Sequence, residues 1–345
     1  MEEAAQADDV DLGFVEESDS YLLTNTYFPS KVGGRPAWLD LENLPDPEEL
    51  RCASCNEPCI FLCQMYASLD DPDTFHRSIY VFMCKKPACC QVNRSDNFVV
   101  FRSQLPRKNR FYSFEPPQED EAKAETAHFC PLCIVCGCKG PFQCPKCKST
   151  FYCGPEHQRL DWKSGHRDKC GMGKASPLFP EYEIVLEAEK SSRTQEVSDD
   201  EEQENRQLAE YQKLVDAGKV GEFKDVPEAE LLKFTQEEDE TFSNFQKIVA
   251  REPEQILRYC RKGQPLLISS TNIPQPDTIP KCPMCGDERV FEFQIMPQLL
   301  NYLREDGLAL DWGTLVIYTC VNSCEVDNQY VREYIHKQDI VTTNQ

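Results

Sequence analysis

The chain has 345 residues, 20 of them cysteine, and a formal net charge of −22. No apolar run reaches 18 residues, and the first 20 residues contain neither a basic nor an apolar region, so we expect neither a transmembrane helix nor a signal peptide. Without a secretion signal, so many cysteines favour metal ligands in a reducing compartment over disulfides.

The acidic residues are concentrated in two stretches. Residues 1–20 hold eight acidic residues and no basic one, and residues 181–250 hold 20 acidic and eight basic residues. We expect residues 1–20 to form a disordered tail. Acidic segments repel nucleic acid and attract basic partners, although such runs more commonly only keep loops soluble.

A β-rich N-terminal lobe is predicted over residues 21–114. It contains three apolar, β-prone runs, at residues 60–66, 78–83 and 98–101. Residues 115–128, which combine proline with many charged residues, are predicted to be a linker.

Eight cysteine and histidine residues with metal-ligand spacing follow within residues 130–171. The first two pairs are separated by two residues and the last two by three. In chain order the pairs are Cys133 and Cys136, Cys144 and Cys147, Cys153 and His157, and His166 and Cys170. Eight such ligands suffice for two closed tetrahedral zinc sites, which are structural rather than catalytic. Spacing leaves open whether consecutive or alternate pairs share an ion; disulfides or scattered thiols are the alternative interpretation, which the four spaced pairs disfavour.

Residues 172–186 are predicted to be a linker and an edge strand, because apolar residues alternate with acidic ones near its end. Residues 187–240 are acidic and poor in large apolar residues, so we expect a flexible insert. Within this insert, Ser198 precedes four consecutive acidic residues. That context predicts phosphorylation by an acid-directed kinase; an ordinary loop serine is the alternative.

The C-terminal lobe is predicted over residues 241–345. Phe242, Phe245 and Val249 have helical spacing, and Pro253 is predicted to start a second helix that runs through Tyr259.

The C-terminal lobe also repeats features of the N-terminal lobe. Residues 34–39 align with residues 263–268, and residues 52–65 align without a gap with residues 282–295. The second alignment contains two identical cysteines, an identical phenylalanine and an identical glutamine. We therefore predict an α+β fold of two duplicated, zinc-clasped, β-rich lobes that pack their half-buried sheets together, with the small zinc finger inserted between them.

Each lobe contains four cysteines that are expected to bind one zinc ion. Two of them lie on a turn, and the other two lie where the next strand ends. The N-terminal set is Cys52, Cys55, Cys84 and Cys89, with Cys90 or Cys59 as possible substitutes, and the C-terminal set is Cys282, Cys285, Cys320 and Cys324. Buried free thiols are the alternative, because cysteine is a common core residue. The remaining cysteines have no partner in this scheme and are interpreted as packing or surface thiols: Cys63, Cys130, Cys138 and Cys260.

The cysteine- and histidine-rich segment resembles a MYND zinc finger. The resemblance rests on the ligand spacing and on Phe151-Tyr152-Cys153, His157-Gln158, Asp161-Trp162 and His166. It implies that alternate pairs share an ion, with Cys133, Cys136, Cys153 and His157 on one zinc and Cys144, Cys147, His166 and Cys170 on the other. His157 stands where many MYND fingers have cysteine, and imidazole also binds zinc. The resemblance further implies that Gln158 and Trp162 line a groove for proline-rich peptides; alternatively, Trp162 only packs against the small zinc core.

Nearly the whole chain outside the acidic insert resembles the programmed cell death protein 2 family. The resemblance rests on the finger and on residues 28–39, 104–109, 252–259, 293–300 and 311–313. It implies a dedicated chaperone for a newly made small-subunit ribosomal protein of universal class S-five, which supports 40S subunit assembly and is found in cytoplasm and nucleus. It also implies a link of the finger to transcriptional co-repressor complexes and cell death. An acidic holder suits a strongly basic client.

The sequence contains no evident catalytic constellation. Two of the five histidines are assigned to zinc, and the other three lack any pattern with a nucleophile: His76, His128 and His336. No glycine-rich phosphate loop is present, so we expect a protein that is not an enzyme. MYND fingers also occur in lysine methyltransferases, but neither flank contains a cofactor motif of that family. Seven basic and three acidic residues in 131–170 are a modest basis for nucleic-acid binding, which we rank last.

Overall fold

The computed structural model of the chain describes residues 9–117, 128–171, 178–190, 240–303, 310–324 and 329–340. Within them the strands are β1 (Asp11–Glu16), β2 (Lys31–Val32), β3 (Ile60–Tyr66), β4 (His76–Met83), β5 (Phe98–Leu105), β6 (Phe142–Gln143), β7 (Phe151–Tyr152), β8 (Tyr182–Ala188), β9 (Leu257–Tyr259), β10 (Arg289–Ile295), β11 (Thr314–Cys320) and β12 (Val331–Gln338). The α-helices are α1 (Pro155–Asp161), α2 (Glu240–Arg251) and α3 (Leu300–Leu303). The described residues are therefore mostly β-structure with few helices, and the predicted α+β class is corrected accordingly.

Ten of these strands form one closed antiparallel barrel, in the order β1-β8-β2-β3-β4-β5-β12-β11-β10-β9. Strands β2 to β5 form an N-terminal half and strands β9 to β12 form a C-terminal half. The halves join directly where β5 pairs with β12, and on the opposite side they join through the pair of β1 and β8. The two halves share one apolar core inside the barrel, but they also meet edge to edge through paired strands, which the predicted packing of two separate sheets did not include. Closing the barrel gives partners to strand edges that two separate sheets would leave unpaired.

Strand β1 corrects the prediction of a disordered tail over residues 1–20. Its six residues pair with β8 over their full length and with β9 over three residues. Leu12 is buried, and a side chain at Gly13 would collide with Ile184 and Leu257. The acidic residues of this strand lie at exposed or partly exposed positions, whereas Leu12 and Gly13 are buried in the barrel. Residues 1–8 lie outside the described part of the chain.

The two halves make equivalent contacts at the positions that the sequence aligns. The Gln64 side chain accepts a hydrogen bond from the backbone N–H of Ala37 at 2.8 Å, and the Gln294 side chain accepts one from the N–H of Leu266 at 2.6 Å. Each glutamine thereby holds the loop that precedes its own zinc-type cysteines. A register shift also recurs at the aligned positions, between Phe61 and Cys63 in β3 and between Phe291 and Phe293 in β10.

Strands β4 and β5 are buried on both faces. Side chains such as Ile79 and Val81 point into the barrel and pack with Phe293 from the C-terminal half. Tyr80 and Phe82 alternate with them and point outward into a second apolar cluster, which includes residues of the finger. These strands have uninterrupted apolar runs because both of their faces are buried. The opposite barrel wall covers the inner face, and the finger covers the outer face.

The C-terminal half carries helix α2 on its outside. Phe245 and Val249 of this helix pack against Ile268 and Met296, as their helical spacing predicts. The second helix predicted from Pro253 to Tyr259 is wrong, because Leu257–Tyr259 is strand β9 and is bonded to β1 and β10. The pairing partners available on both sides override the local helical pattern. Among the described residues, no helix is both long and apolar enough to cross a membrane.

Candidate metal centres

The eight finger residues converge into two separate sets. Cys133, Cys136, Cys153 and His157 form one set, and Cys144, Cys147, His166 and Cys170 form the other, with all ligand atoms of a set within 4.8 Å of one another. The structure therefore brings alternate pairs together, the arrangement that the MYND resemblance implies. Strand β7 delivers the Cys153 end of the first set, and helix α1 then places His157 four residues later on the same side.

His166 is oriented by a carboxylate behind it. Its Nε2 atom lies 3.8 Å from the Cys147 sulfur, while its Nδ1 atom lies 3.3 Å from Asp161, which also accepts a hydrogen bond from the Tyr152 hydroxyl at 2.7 Å. A carboxylate on the far nitrogen of a zinc-binding histidine fixes the tautomer and makes the ligand more basic. In the sequence, Asp161 belongs only to the MYND pattern, and this role was not predicted. A carboxylate five residues before a ligand histidine was the available signal.

The eight lobe cysteines form two further sets of the same size. Cys52, Cys55, Cys84 and Cys89 lie within 4.8 Å of one another and are called the N-terminal clasp. Cys282, Cys285, Cys320 and Cys324 do the same and are called the C-terminal clasp. In each clasp a Cys-x-x-Cys turn before the first long strand meets two cysteines that lie at or beyond the end of the next strand, β4 or β11.

Cys59 and Cys90, the possible substitutes in the N-terminal set, lie outside the N-terminal clasp. Cys59 is buried beside the carbonyl of Asn97, and Cys90 faces the Asn97 side chain. The other cysteines without a partner set are buried as well, namely Cys63, Cys130, Cys138 and Cys260.

The spacing of the donor atoms fits zinc; in the second finger set the Cys147 sulfur lies 3.8 Å from His166 Nε2, and sulfur–sulfur distances describe the other three sets. A zinc–sulfur bond of about 2.3 Å places two sulfurs of a tetrahedral site about 3.8 Å apart. The sulfur–sulfur distances are 3.7 Å for Cys55 and Cys84, 3.8 Å for Cys136 and Cys153, and 3.6 Å for Cys282 and Cys324. All 20 cysteines lie in the described part of the chain and all are free thiols, so disulfides do not explain these distances.

Each set contains one cysteine that is poised to be a thiolate. Thiols on its set partners Cys136 and Cys153 lower the pKa of Cys133, and the hydroxyl and N–H of Ser149 lower the pKa of Cys147 to about 5. In the clasps, burial opposes ionisation, but backbone N–H groups and neighbouring thiols still lower the pKa of Cys55 and Cys282. Thiolates are the form that binds zinc.

Comparisons with known proteins agree with this architecture. The profile of the programmed cell death protein 2 N-terminal domain matches residues 9–119, that of its C-terminal domain matches residues 239–339, and that of the MYND finger matches residues 133–170. Programmed cell death protein 2 of Mus musculus is 44% identical over 363 residues, which cover 99% of both chains.

The chain belongs to the programmed cell death protein 2 family.

More distant relatives align over most of the chain as well. Programmed cell death protein 2-like of Mus musculus is 30% identical and covers 87% of this chain and 86% of its own. The probable 20S rRNA accumulation protein 4 of Schizosaccharomyces pombe is 22% identical and covers 91% and 92%, respectively. No solved structure resembles the chain significantly.

In this family member the finger is docked on the N-terminal half. The indole N–H of Trp38 donates to the carbonyl of Gly137 at 2.8 Å, and the Arg35 guanidinium donates to the carbonyl of Ile134 at 2.5 Å. Trp38 is fully buried, and a Cβ atom at Gly137 would lie 2.7 Å from the Cβ atom of Arg35. Although linkers are predicted on both sides of the finger, the finger shares a core with the barrel.

The two residues assigned to a peptide groove lie together on the outer side of the finger. Gln158 and Trp162 line a groove of about 320 Å³, which also includes Lys146 and Lys163. Trp162 is 37% exposed, and the Lys146 ammonium lies 5.9 Å from the centre of its ring. Trp162 also contacts the His166 ring, so both interpretations of this residue have a physical basis. Ser198 lies outside the described residues.

Proposed function

We propose that this chain is a non-enzymatic escort for a newly made small-subunit ribosomal protein of universal class S-five and thereby supports assembly of the 40S subunit in cytoplasm and nucleus. The observation that carries the proposal is the similarity over nearly the full chain to a relative named as a 20S rRNA accumulation protein. The similarity covers the barrel as well as the finger, so it speaks for the function of the whole chain.

Charge supports a basic client. Of the net charge of −22, −12 belongs to residues 181–250 and −8 to residues 1–20, so the body of the protein is close to neutral. These two acidic stretches, which include the barrel strands β1 and β8, attract a basic protein and compete with RNA for its surface. Nucleic acid is correspondingly an unfavourable partner.

Zinc has a structural role in this proposal. We assign two zinc ions to the finger and one to each clasp, because all four sets have four donors and a closed tetrahedral spacing. A closed set leaves no position for a metal-bound water, and the zinc ions thus stabilise the binding platform and take no part in a reaction.

The test is capture of nascent protein by the tagged full-length chain, followed by identification of the bound polypeptides. We expect the class S-five ribosomal protein to be enriched while it is still being translated. Cys282→Ser removes one ligand of the C-terminal clasp and should abolish capture, whereas Cys63→Ser, at a buried cysteine outside all four sets, should retain it. Absence of ribosomal protein from the wild-type sample would refute the proposal. Deletion of residues 130–170 is a poor probe because it would uncover Trp38.

The groove on the finger favours a second function. Its exposed tryptophan beside Gln158 and two lysines is suited to an extended, proline-rich peptide of a transcriptional co-repressor. Trp162→Ala should remove binding of such a peptide and leave capture of the ribosomal protein unchanged. If Trp162→Ala instead abolishes ribosomal capture, the finger is the client site and the barrel is not.

A further inference from the structure

The barrel encloses a group of charged side chains next to the C-terminal clasp. Four arginines and two glutamates pair there, with the glutamates fully buried and no arginine side chain more than 10% exposed. We call this the buried charge cluster; its members are Arg77, Arg102, Arg261, Arg289, Glu292 and Glu333. Arg77 and Arg102 come from the N-terminal half, and the other four members come from the C-terminal half.

The cluster by itself has an excess of two positive charges. Glu292 is shared by Arg77 and Arg261, and Glu333 is shared by Arg102 and Arg289. Burying two unmatched charges is costly unless an opposite charge lies close by. A zinc ion bound by four thiolates has a net charge of −2, which equals the excess in magnitude and opposes it in sign.

The second ligand loop of the C-terminal clasp lies directly on the cluster. Arg102 donates to the carbonyl of Cys324 at 3.2 Å and approaches the Cys324 sulfur at 3.7 Å. Gln104 donates to the carbonyls of Ser323 and Cys324, and Arg77 donates to the Ser323 hydroxyl at 2.8 Å. Side chains of the N-terminal half therefore hold a ligand loop that belongs to the C-terminal half.

The geometry points to Arg102 as a positioning residue for the metal of the C-terminal clasp, supplied from the other half of the barrel. Arg102 stabilises the Cys324 thiolate by charge and hydrogen bonding, and the clasp in turn neutralises the cluster. Zinc binding at this clasp and the pairing of β5 with β12 thus stabilise each other. The inference rests on the proposed zinc occupancy of the clasp.

The experiment measures loss of zinc from each clasp of the full-length protein. The zinc-loaded chain is exposed to a chelator, its cysteines are alkylated at intervals, and labelling of individual cysteines is read by mass spectrometry. Arg102→Met should release zinc from the C-terminal clasp about tenfold faster than the wild type, since outer partners of metal ligands commonly contribute 10–100-fold. Labelling of the N-terminal clasp in the same molecules should be unchanged.

Arg258→Met is the matched control. It removes a charge from another largely buried ion pair, because the Arg258 side chain is 8% exposed and donates to Glu189 at 2.8 Å, and its described hydrogen bonds go to Glu189 and Gln255 rather than to the clasp. It should change zinc release less than threefold. Arg102→Lys keeps the charge, so its rate of zinc release should lie between those of the wild type and Arg102→Met. If Arg102→Met does not fold, Arg102→Lys is compared with the wild type instead.

Two results would overturn the inference in different ways. Equal release rates for the wild type and Arg102→Met, or for Arg102→Lys if only that variant folds, would refute the role of Arg102 while leaving the zinc assignment intact. If elemental analysis finds no zinc in the wild-type clasp and its cysteines label at once, the occupancy itself is wrong and the inference falls with it.

Discussion

Glu292→Gln is expected to lower the free energy of unfolding by about 3 kcal/mol. Glu292 is fully buried and accepts hydrogen bonds from Arg77 at 2.7 and 2.9 Å and from Arg261 at 2.5 Å. Burial alone would raise the pKa of Glu292, but these two guanidinium groups lower it from 4.5 to about 2. Each pKa unit is worth about 1.4 kcal/mol, so the ionised carboxylate contributes about 3 kcal/mol. Removal of one partner from a buried ion pair independently costs about 3–5 kcal/mol.

The direction of the pKa shift of Glu292 determines the pH at which unfolding should be measured. The pKa of Glu292 is lower in the folded protein than in the unfolded chain, so its contribution is complete above about pH 4.5 and disappears as the pH falls toward 2. Urea unfolding of the zinc-loaded protein at pH 7, followed by the fluorescence of the buried Trp38 and Trp312, therefore registers the whole effect.

An exposed ion pair provides the control for this prediction. Glu48→Gln removes the partner of Arg51, but the Glu48 side chain is 77% exposed, and such pairs contribute only about 0–1 kcal/mol. We expect little change in this variant. A loss in Glu292→Gln that is no larger than the loss in Glu48→Gln would show that the buried pair does not hold the halves together.

Three further predictions concern the finger, the metals and the insert. Gly137→Ala should loosen the finger from the barrel, because Gly137 has a φ of +72° and no room for a Cβ atom beside Arg35; increased proteolysis within 118–127 would show this, and unchanged cleavage would contradict it. Elemental analysis should find four zinc ions per chain, and a reproducible value of two would leave the clasp cysteines as thiols. Phosphopeptide mapping in growing cells should find Ser198 modified, and an unmodified peptide would count against it.

The sequence alone was sufficient for features that depend on local spacing. The ligand pairs of the finger and both Cys-x-x-Cys turns are visible because neighbouring ligands must fit one ion. The apolar runs of β3, β4 and β5 are visible because they are short and rich in the β-branched and aromatic residues that favour strands. Alignment of the two lobes also placed Gln64 and Gln294 in equivalent positions, which the structure matches with equivalent hydrogen bonds.

Only the tertiary structure decided how these pieces are joined. Strand β1 lies in an acidic segment and β9 in a stretch with helical spacing, yet both are strands because β8 and β10 offer them partners. Trp38 is buried because the finger covers it, and no local sequence pattern predicts its contact with the finger. The pairing of Arg77 with Glu292 spans 215 residues of sequence. Periodicity and ligand spacing are local properties, whereas the partner of a strand edge or a buried charge is set by the closed barrel as a whole.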